Sequence, residues 1–164
     1  GHVTIKTKAK ASMEDSFMDI VNFIDNNYRT IKKREGRAVC GLSMGGGHTF
    51  GISMLYPETF DYYGLFSAAP WIKGNRDLNN FAEKLRADKE TCDLLQKLFD
   101  SKPKLYWIGI GKDDFLYEPN KVLREYFDEK GYKYEYYEND GGHIWRNWRI
   151  YLTLFSQKLF KDLK

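Results

Sequence analysis

Cysteine is nearly absent, with Cys40 and Cys92 the only two thiols in 164 residues. That density excludes a disulfide-stapled scaffold. Cys40 closes an apolar run and Cys92 falls within a helical pattern, so both are expected to be buried free thiols. Histidine is also scarce, at three residues, and neither C-x-x-C nor H-x-x-x-H spacing occurs, so no metal and no cofactor requirement is expected. A large excess of charge of one sign is missing as well. The 26 basic and 23 acidic residues leave a net +3, a field too weak to imply a nucleic-acid or membrane partner. The densest basic cluster, Lys32-Lys33-Arg34, reads as a solvated connection. No apolar run approaches the roughly 20 residues that cross a bilayer, and Gly1-His2-Val3-Thr4-Ile5-Lys6 lacks a signal-peptide core. Repeats, low-complexity tracts and long Gly/Ser/Pro linkers are absent too, which leaves one domain over residues 1–164.

What is present is a regular alternation of helical and strand periods. Ser12 followed by Asp15 resembles an N-terminal capping box, and Phe17, Ile20, Val21 and Ile24 recur at helical spacing up to Asn26-Asn27. Ala38 to Leu42 has the length and apolarity of a buried strand, and Met44 to Tyr56 reads as a helix stopped by Pro57. Tyr62 to Ser67 is the next strand, and a helical stretch from Asn80 to Phe99 leads to the strand Leu105 to Ile110. A helix with Pro119 at its start and Gly131 past its end follows, then a strand from Tyr132 to Tyr137 and a helix from Trp148 onward. Strands separated by helix-length crossovers pair in parallel, so the expected fold is an α/β layer with helices on the faces of a parallel sheet.

Gly41-Leu42-Ser43-Met44-Gly45 matches G-x-S-x-G where a strand turns into a helix. There the two glycines permit a tight turn that exposes the serine Oγ, and the following N–H, that of Met44, can face an oxyanion. A phosphate-cradling loop would need G-x-x-x-x-G-K-[ST] or G-x-G-x-x-G, and neither occurs. Ser43 is therefore the expected nucleophile. Gly111-Lys112-Asp113-Asp114 and Asp140-Gly141-Gly142-His143 follow two later strands, so an aspartate and His143 should converge on Ser43 along one sheet edge in the chain order Ser, Asp, His. Asp113 and Asp114 both remain candidates for the acid, the strand–turn–acid arrangement favouring Asp114. Asp140 reads as a turn residue, and His48 and His2 as bystanders. Trp71, Phe115, Tyr117, Trp145 and Trp148 follow the same strand ends, and of these Trp71 and Trp145 are expected to touch substrate.

Gly41-Leu42-Ser43-Met44-Gly45-Gly46-Gly47, Pro57-Glu58-Thr59-Phe60, Gly111-Lys112-Asp113-Asp114-Phe115-Leu116 and Gly141-Gly142-His143-Ile144-Trp145 together resemble the esterase-D-like family of α/β-hydrolases. Within it they are most similar to the carbohydrate esterases that include feruloyl and acetylxylan esterases. The resemblance covers the chain from about residue 14 onward. It implies Asp114 as the acid of G-x-x-D and hydrolysis of feruloyl or acetyl esters on plant cell-wall xylan, an acylated polysaccharide or oligosaccharide. It also implies a secreted or periplasmic parent protein. An acyltransferase, a thioesterase or a non-catalytic binding remnant is the alternative on the same scaffold. Members of that family carry further strands and an oxyanion-hole loop ahead of the helix near Ser12. The expectation is thus a C-terminal portion lacking the N-terminal strands, with a sheet edge open to an oligomer or a complementing chain.

Overall fold

The computed structural model of the chain describes residues 12–72, 75 and 77–163. His2 and the N-terminal run read above lie outside the described residues. Ser12 and Asp15 exchange the two bonds of a capping box, Ser12 N–H donating to Asp15 Oδ2 at 3.3 Å and Asp15 N–H to Ser12 Oγ at 3.1 Å. The box closes a turn ahead of the first helix, α1, which spans Phe17–Asn27.

A 3₁₀ turn at Arg34–Gly36 leads into β1 (Ala38–Leu42), α2 (Met44–Leu55) and β2 (Tyr62–Phe66). Then come α3 (Phe81–Ala87), α4 (Lys89–Asp100), β3 (Leu105–Gly111), α5 (Tyr117–Lys130), β4 (Glu135–Asn139) and α6 (Trp145–Ser156). The four strands pair in parallel in the order β1-β2-β3-β4. Each crossover steps one strand in the same direction, and right-handed crossovers that keep one direction put their helices on one face. The core composition agrees. Tyr63, Leu65, Tyr106 and Ile108 pack with Phe50, Leu85, Leu95, Leu98, Leu123 and Phe127 of α2 to α5. Tyr62, Phe66, Leu105 and Trp107, one residue out of phase along the same strands, pack with Tyr151 and Phe155 of α6. Each such side chain, fully buried, contributes about 1.5–3 kcal/mol.

Three boundaries differ from the sequence reading, each for a local reason. The helical stretch from Asn80 to Phe99 is two helices, because the Asp88 carboxylate accepts the Thr91 N–H at 3.0 Å and starts α4 afresh. The fourth strand begins at Glu135 instead of Tyr132. Gly131 ends α5 at φ 69°, its N–H donating to Asp128 O at 3.1 Å while the Tyr132 N–H reaches back to Phe127 O at 2.9 Å. This pair of bonds is a Schellman cap, and Tyr132 belongs to it, stacked on Phe99 with centroids 4.3 Å apart. The last helix starts at Trp145, so both Trp145 and Trp148 lie on it.

Among the described residues β1 has a single partner strand, β2. No residue of α1 is buried, and Ile20, Phe23 and Ile24 are largely exposed. Phe17, Ile20, Val21 and Ile24 of α1, with Ala38 and Val39 of β1, line an open groove of about 430 Å³ to which Phe60 and Phe160 also contribute. Cys40, expected to be buried, is exposed because it sits on this edge strand, and Cys92 is half-buried on α4. No described helix is long and apolar enough to cross a membrane.

Candidate active site

Ser43 is the first residue past β1, Asp114 lies just past β3 and His143 just past β4. In a parallel sheet these C-terminal strand ends share one edge. Ser43 turns the chain from β1 into α2 with φ 54° and ψ −117°, a conformation that costs a non-glycine residue about 1–3 kcal/mol. Three backbone bonds hold it there. Its N–H donates to Phe66 O at 2.8 Å, and its carbonyl accepts the Gly47 and Ala69 N–H groups at 3.1 Å each. Gly41 is required for the tight turn, since a Cβ there would stand 2.2 Å from the Gly45 carbonyl oxygen. Gly45, expected to share that role, has no described neighbour within 4 Å of an added Cβ.

His143 Nε2 lies 2.9 Å from Ser43 Oγ, and its Nδ1 lies 3.0 Å and 3.1 Å from the two carboxylate oxygens of Asp114. With the ring neutral, Nδ1–H donates to the carboxylate and the Nε2 lone pair accepts the serine O–H. The Asp114 side chain is wholly buried, and its Oδ1 also accepts the Leu116 N–H at 2.9 Å. Asp113 points elsewhere, its Oδ2 accepting the Gly141 N–H at 3.1 Å while its own N–H donates to Gly141 O at 3.1 Å. It ties the acid-bearing loop to the histidine-bearing loop. Asp140 is exposed and pairs with Lys112 at 3.2 Å.

Met44 is the first residue of α2, so its N–H has no acceptor within the helix and is free to meet an oxyanion beside Ser43. Phe115, 74% exposed, lies over His143 at 4.7 Å between ring centroids. Trp148 meets the imidazole edge-on at 4.9 Å and donates its indole N–H to Ser67 Oγ at 3.1 Å. Trp145, 65% exposed, stands 5.1 Å from Trp148. Exposed Met44 and Ile144 complete an apolar rim around the Ser43–His143 pair.

One of the aromatic expectations needs correcting. Trp71, expected at the substrate, is only 8% exposed and is wedged against the first turns of α2, where an added Cβ on Gly47 would meet its ring at 2.2 Å. Its ring instead meets that of His48 at 5.1 Å. Tyr117 donates to Glu138 Oε2 at 2.8 Å, and Tyr136 donates to the same oxygen at 2.5 Å, bonds that hold the Glu138 carboxyl below its ordinary range. His48 Nδ1 lies 2.7 Å from Glu14 Oε1. Burial alone would raise the Glu14 carboxyl. The bond to His48, helped by bonds from the Glu14 backbone and Ser12, outweighs that and holds it below the ordinary glutamate value.

Sequence reasoning missed the polar groups behind the histidine loop, Asn139, Asn147 and Tyr151. No motif marks them. An asparagine soon after a Gly-Gly-His turn reads as an ordinary helix-start residue.

A parallel sheet whose strand ends bring together serine, histidine and a buried aspartate defines the α/β-hydrolase class of esterases. The chain belongs to the Esterase family, whose description "Putative esterase" matches residues 8–159. It is 26% identical over 158 residues to an acetyl esterase of Caldicellulosiruptor saccharolyticus, covering 82% of this chain and 58% of that protein. It is 28% identical over 144 residues to an endo-1,4-beta-xylanase/feruloyl esterase of Xylanibacter ruminicola, covering 87% of this chain and 17% of that protein. The S-formylglutathione hydrolase (FrmB) of Staphylococcus aureus shares the fold, with a TM-score of 0.71 at 20% identity over 93% of this chain and 66% of that one. The chain thus spans about 58% of the length of the acetyl esterase it matches.

Proposed function

We propose that this chain carries the catalytic machinery of a serine carboxylic-ester hydrolase that works through an acyl-enzyme and removes feruloyl or acetyl groups from plant cell-wall xylan. The observation that carries the reading is the continuous relay from Ser43 Oγ to His143 Nε2 and from His143 Nδ1 to the Asp114 carboxylate. In the first half-reaction His143 takes the Ser43 proton as Oγ attacks the ester carbonyl, and the Met44 N–H stabilises the oxyanion. The imidazolium, held by Asp114, then protonates the departing alcohol. Water repeats the sequence on the acyl-enzyme, with His143 again the base, and releases the acid.

The substrate class rests on the apolar rim and on the relatives. Phe115 and Trp145 offer exposed ring faces beside the nucleophile, which suit a phenolic acyl group or a sugar face. An acetyl esterase and a xylanase/feruloyl esterase are among the proteins this chain is similar to in sequence. A polymeric wall substrate carries with it secretion, or export to the periplasm, of the whole protein.

Intact-mass measurement after incubation with a fluorophosphonate tests the serine chemistry. One adduct on Ser43 of the natively folded chain is expected, and none would remove the acyl-enzyme reading. Release of ferulate and acetate from arabinoxylan, compared with hydrolysis of a glutathione thioester, tests the substrate class. Faster turnover of the thioester would move the assignment to the thioesterase reading.

A further inference from the structure

We propose that Asn147, backed by Asn139 and Tyr151, is the positioning residue of the base: it holds the turn that carries His143 so that the imidazole faces Asp114 on one side and Ser43 on the other. The inference rests on the reading of His143 as the base. Asn147 is fully buried in the first turn of α6, four residues past His143. Its Nδ2 donates to the carbonyl of Gly142, the residue next to His143, at 3.0 Å. Its Oδ1 accepts from Asn139 Nδ2 at 2.8 Å, and Asn139 Oδ1 accepts the Tyr151 O–H at 2.7 Å.

The chain of bonds has one direction, and the carbonyl sets it. Gly142 O can only accept, so the amide of Asn147 must turn its NH₂ toward it and its oxygen toward Asn139. Asn139 must then present its NH₂ to Asn147 and its oxygen to the phenol, which must donate. Burial, with Asp114 nearby, pushes the Tyr151 phenol up, so it keeps its proton. From the opposite side, Asp113 grips Gly141 through both its backbone N–H and its carboxylate. The turn before His143 is therefore clamped between the acid loop and α6. Space is as tight as the bonding, since a Cβ on Gly111 would lie 2.0 Å from Gly141 O and 2.8 Å from Asn147 Nδ2.

An aspartate at 147 would turn a lone pair on Gly142 O. A leucine of similar size leaves that carbonyl with only the Ile144 N–H, at 3.0 Å, and leaves the part-buried Asn139 amide without its partner, so the tie between the turn and α6 is lost. Displacements of about 1 Å in a catalytic group cost on the order of 10²-fold in rate, so the effect belongs in kcat, with KM little changed.

The test uses the full chain with ¹⁵N-labelled histidine. Long-range ¹H–¹⁵N spectra report the His143 tautomer whether or not the protein turns over, with the signal assigned by its loss in His143→Ala. The parent is expected to show the Nδ1–H tautomer. Asn147→Leu is expected to show a mixture of tautomers, with kcat on an aryl acetate at least about tenfold lower and KM within about twofold. Should the leucine variant fail to fold, Tyr151→Phe carries the test and is expected to shift the tautomer in the same direction with a smaller kcat loss. A folded variant with the parent's tautomer and kcat overturns the proposal. A parent that never reacts with a fluorophosphonate overturns the proposed function instead, and the imidazole spectrum still decides the role of Asn147.

Discussion

Ser43 combines a demanding backbone with a side chain that nothing in the core needs, and the two can be separated by substitution. Ser43→Ala keeps the turn and its three backbone bonds. It is expected to lose all fluorophosphonate labelling and ester hydrolysis while its thermal midpoint stays close to the parent's. His143→Ala and Asp114→Asn should each lower kcat on an aryl ester by about 10⁴, as removal of a base or its orienting acid does elsewhere. A loss under tenfold, measured by initial rates, would take that residue out of the mechanism. Gly41→Ala is a different kind of change. Its methyl would collide with the Gly45 carbonyl 2.2 Å away, which is backbone and cannot swing aside. Circular dichroism melts should show a marked loss of stability, with labelling lost wherever the protein still folds, because the α2 start must move to make room.

These residues also show what was legible at this scale. Ser43 and His143 could be singled out because their motifs sit at strand ends, where a parallel sheet makes neighbours of distant residues. For the carboxylate that reaches His143, the strand–turn–acid arrangement favoured Asp114 without fixing it, since Asp113 and Asp114 are adjacent and only the loop's path decides which one turns inward. Trp71 misled for a related reason. A tryptophan after a strand end is open to substrate or to core, and the room left by Gly47 draws it against α2.

At the scale of elements, order and type were legible from periodicity, while boundaries were lost wherever a cap decided them. Nothing in the apolar pattern of residues 80–99 announces the break at Asp88, which depends on one carboxylate meeting the Thr91 N–H. Tyr132 looked like strand because aromatic runs do, yet the Schellman bonds of Gly131 claim it for the end of α5. The pair between Glu14 and His48 has its own consequence at this scale, because it fastens the turn before α1 to α2, the helix behind the nucleophile. A carboxyl held below its ordinary value adds stability that is complete above that value, 4.5 for glutamate, and is lost as pH falls through the lower, folded-state value. Urea melts across that acid range should show the parent losing stability more steeply than Glu14→Gln. Equal slopes would mean that the pair does not contribute.

For the molecule as a whole, the open side of β1 is the feature the amino-acid pattern implied least directly. The helical stripe Phe17, Ile20, Val21 and Ile24 reads as a core face, but among the described residues it borders an open groove beside an edge strand. Apolar edges of this kind promote association. Light scattering is expected to show the 164-residue chain growing in mass with concentration. Replacing Ile20 and Ile24 with lysine should return it toward the monomer without changing the rate of Ser43 labelling, since the groove lies away from the relay. Mass independent of concentration in the parent would show the groove to be inert.

The bond between His143 and Ser43 joins residues 100 positions apart, and this separation sets a clock. Contacts of such long range wait for the loop between them to be shortened by other pairings. Here β1 to β2, β2 to β3 and β3 to β4 must all be in register before the imidazole can arrive. A slip of a single residue in any of those ladders would displace the histidine from the serine by about 3.3 Å along the strand direction. The reactive serine is therefore the last thing the chain makes. During refolding from urea, covalent capture by a fluorophosphonate should lag behind the recovery of the far-ultraviolet signal, and tryptophan fluorescence should fall between the two. Simultaneous recovery of all three would mean that the sheet closes in one step. With a lag, the same reagent that identifies the nucleophile would also count the molecules that have finished folding.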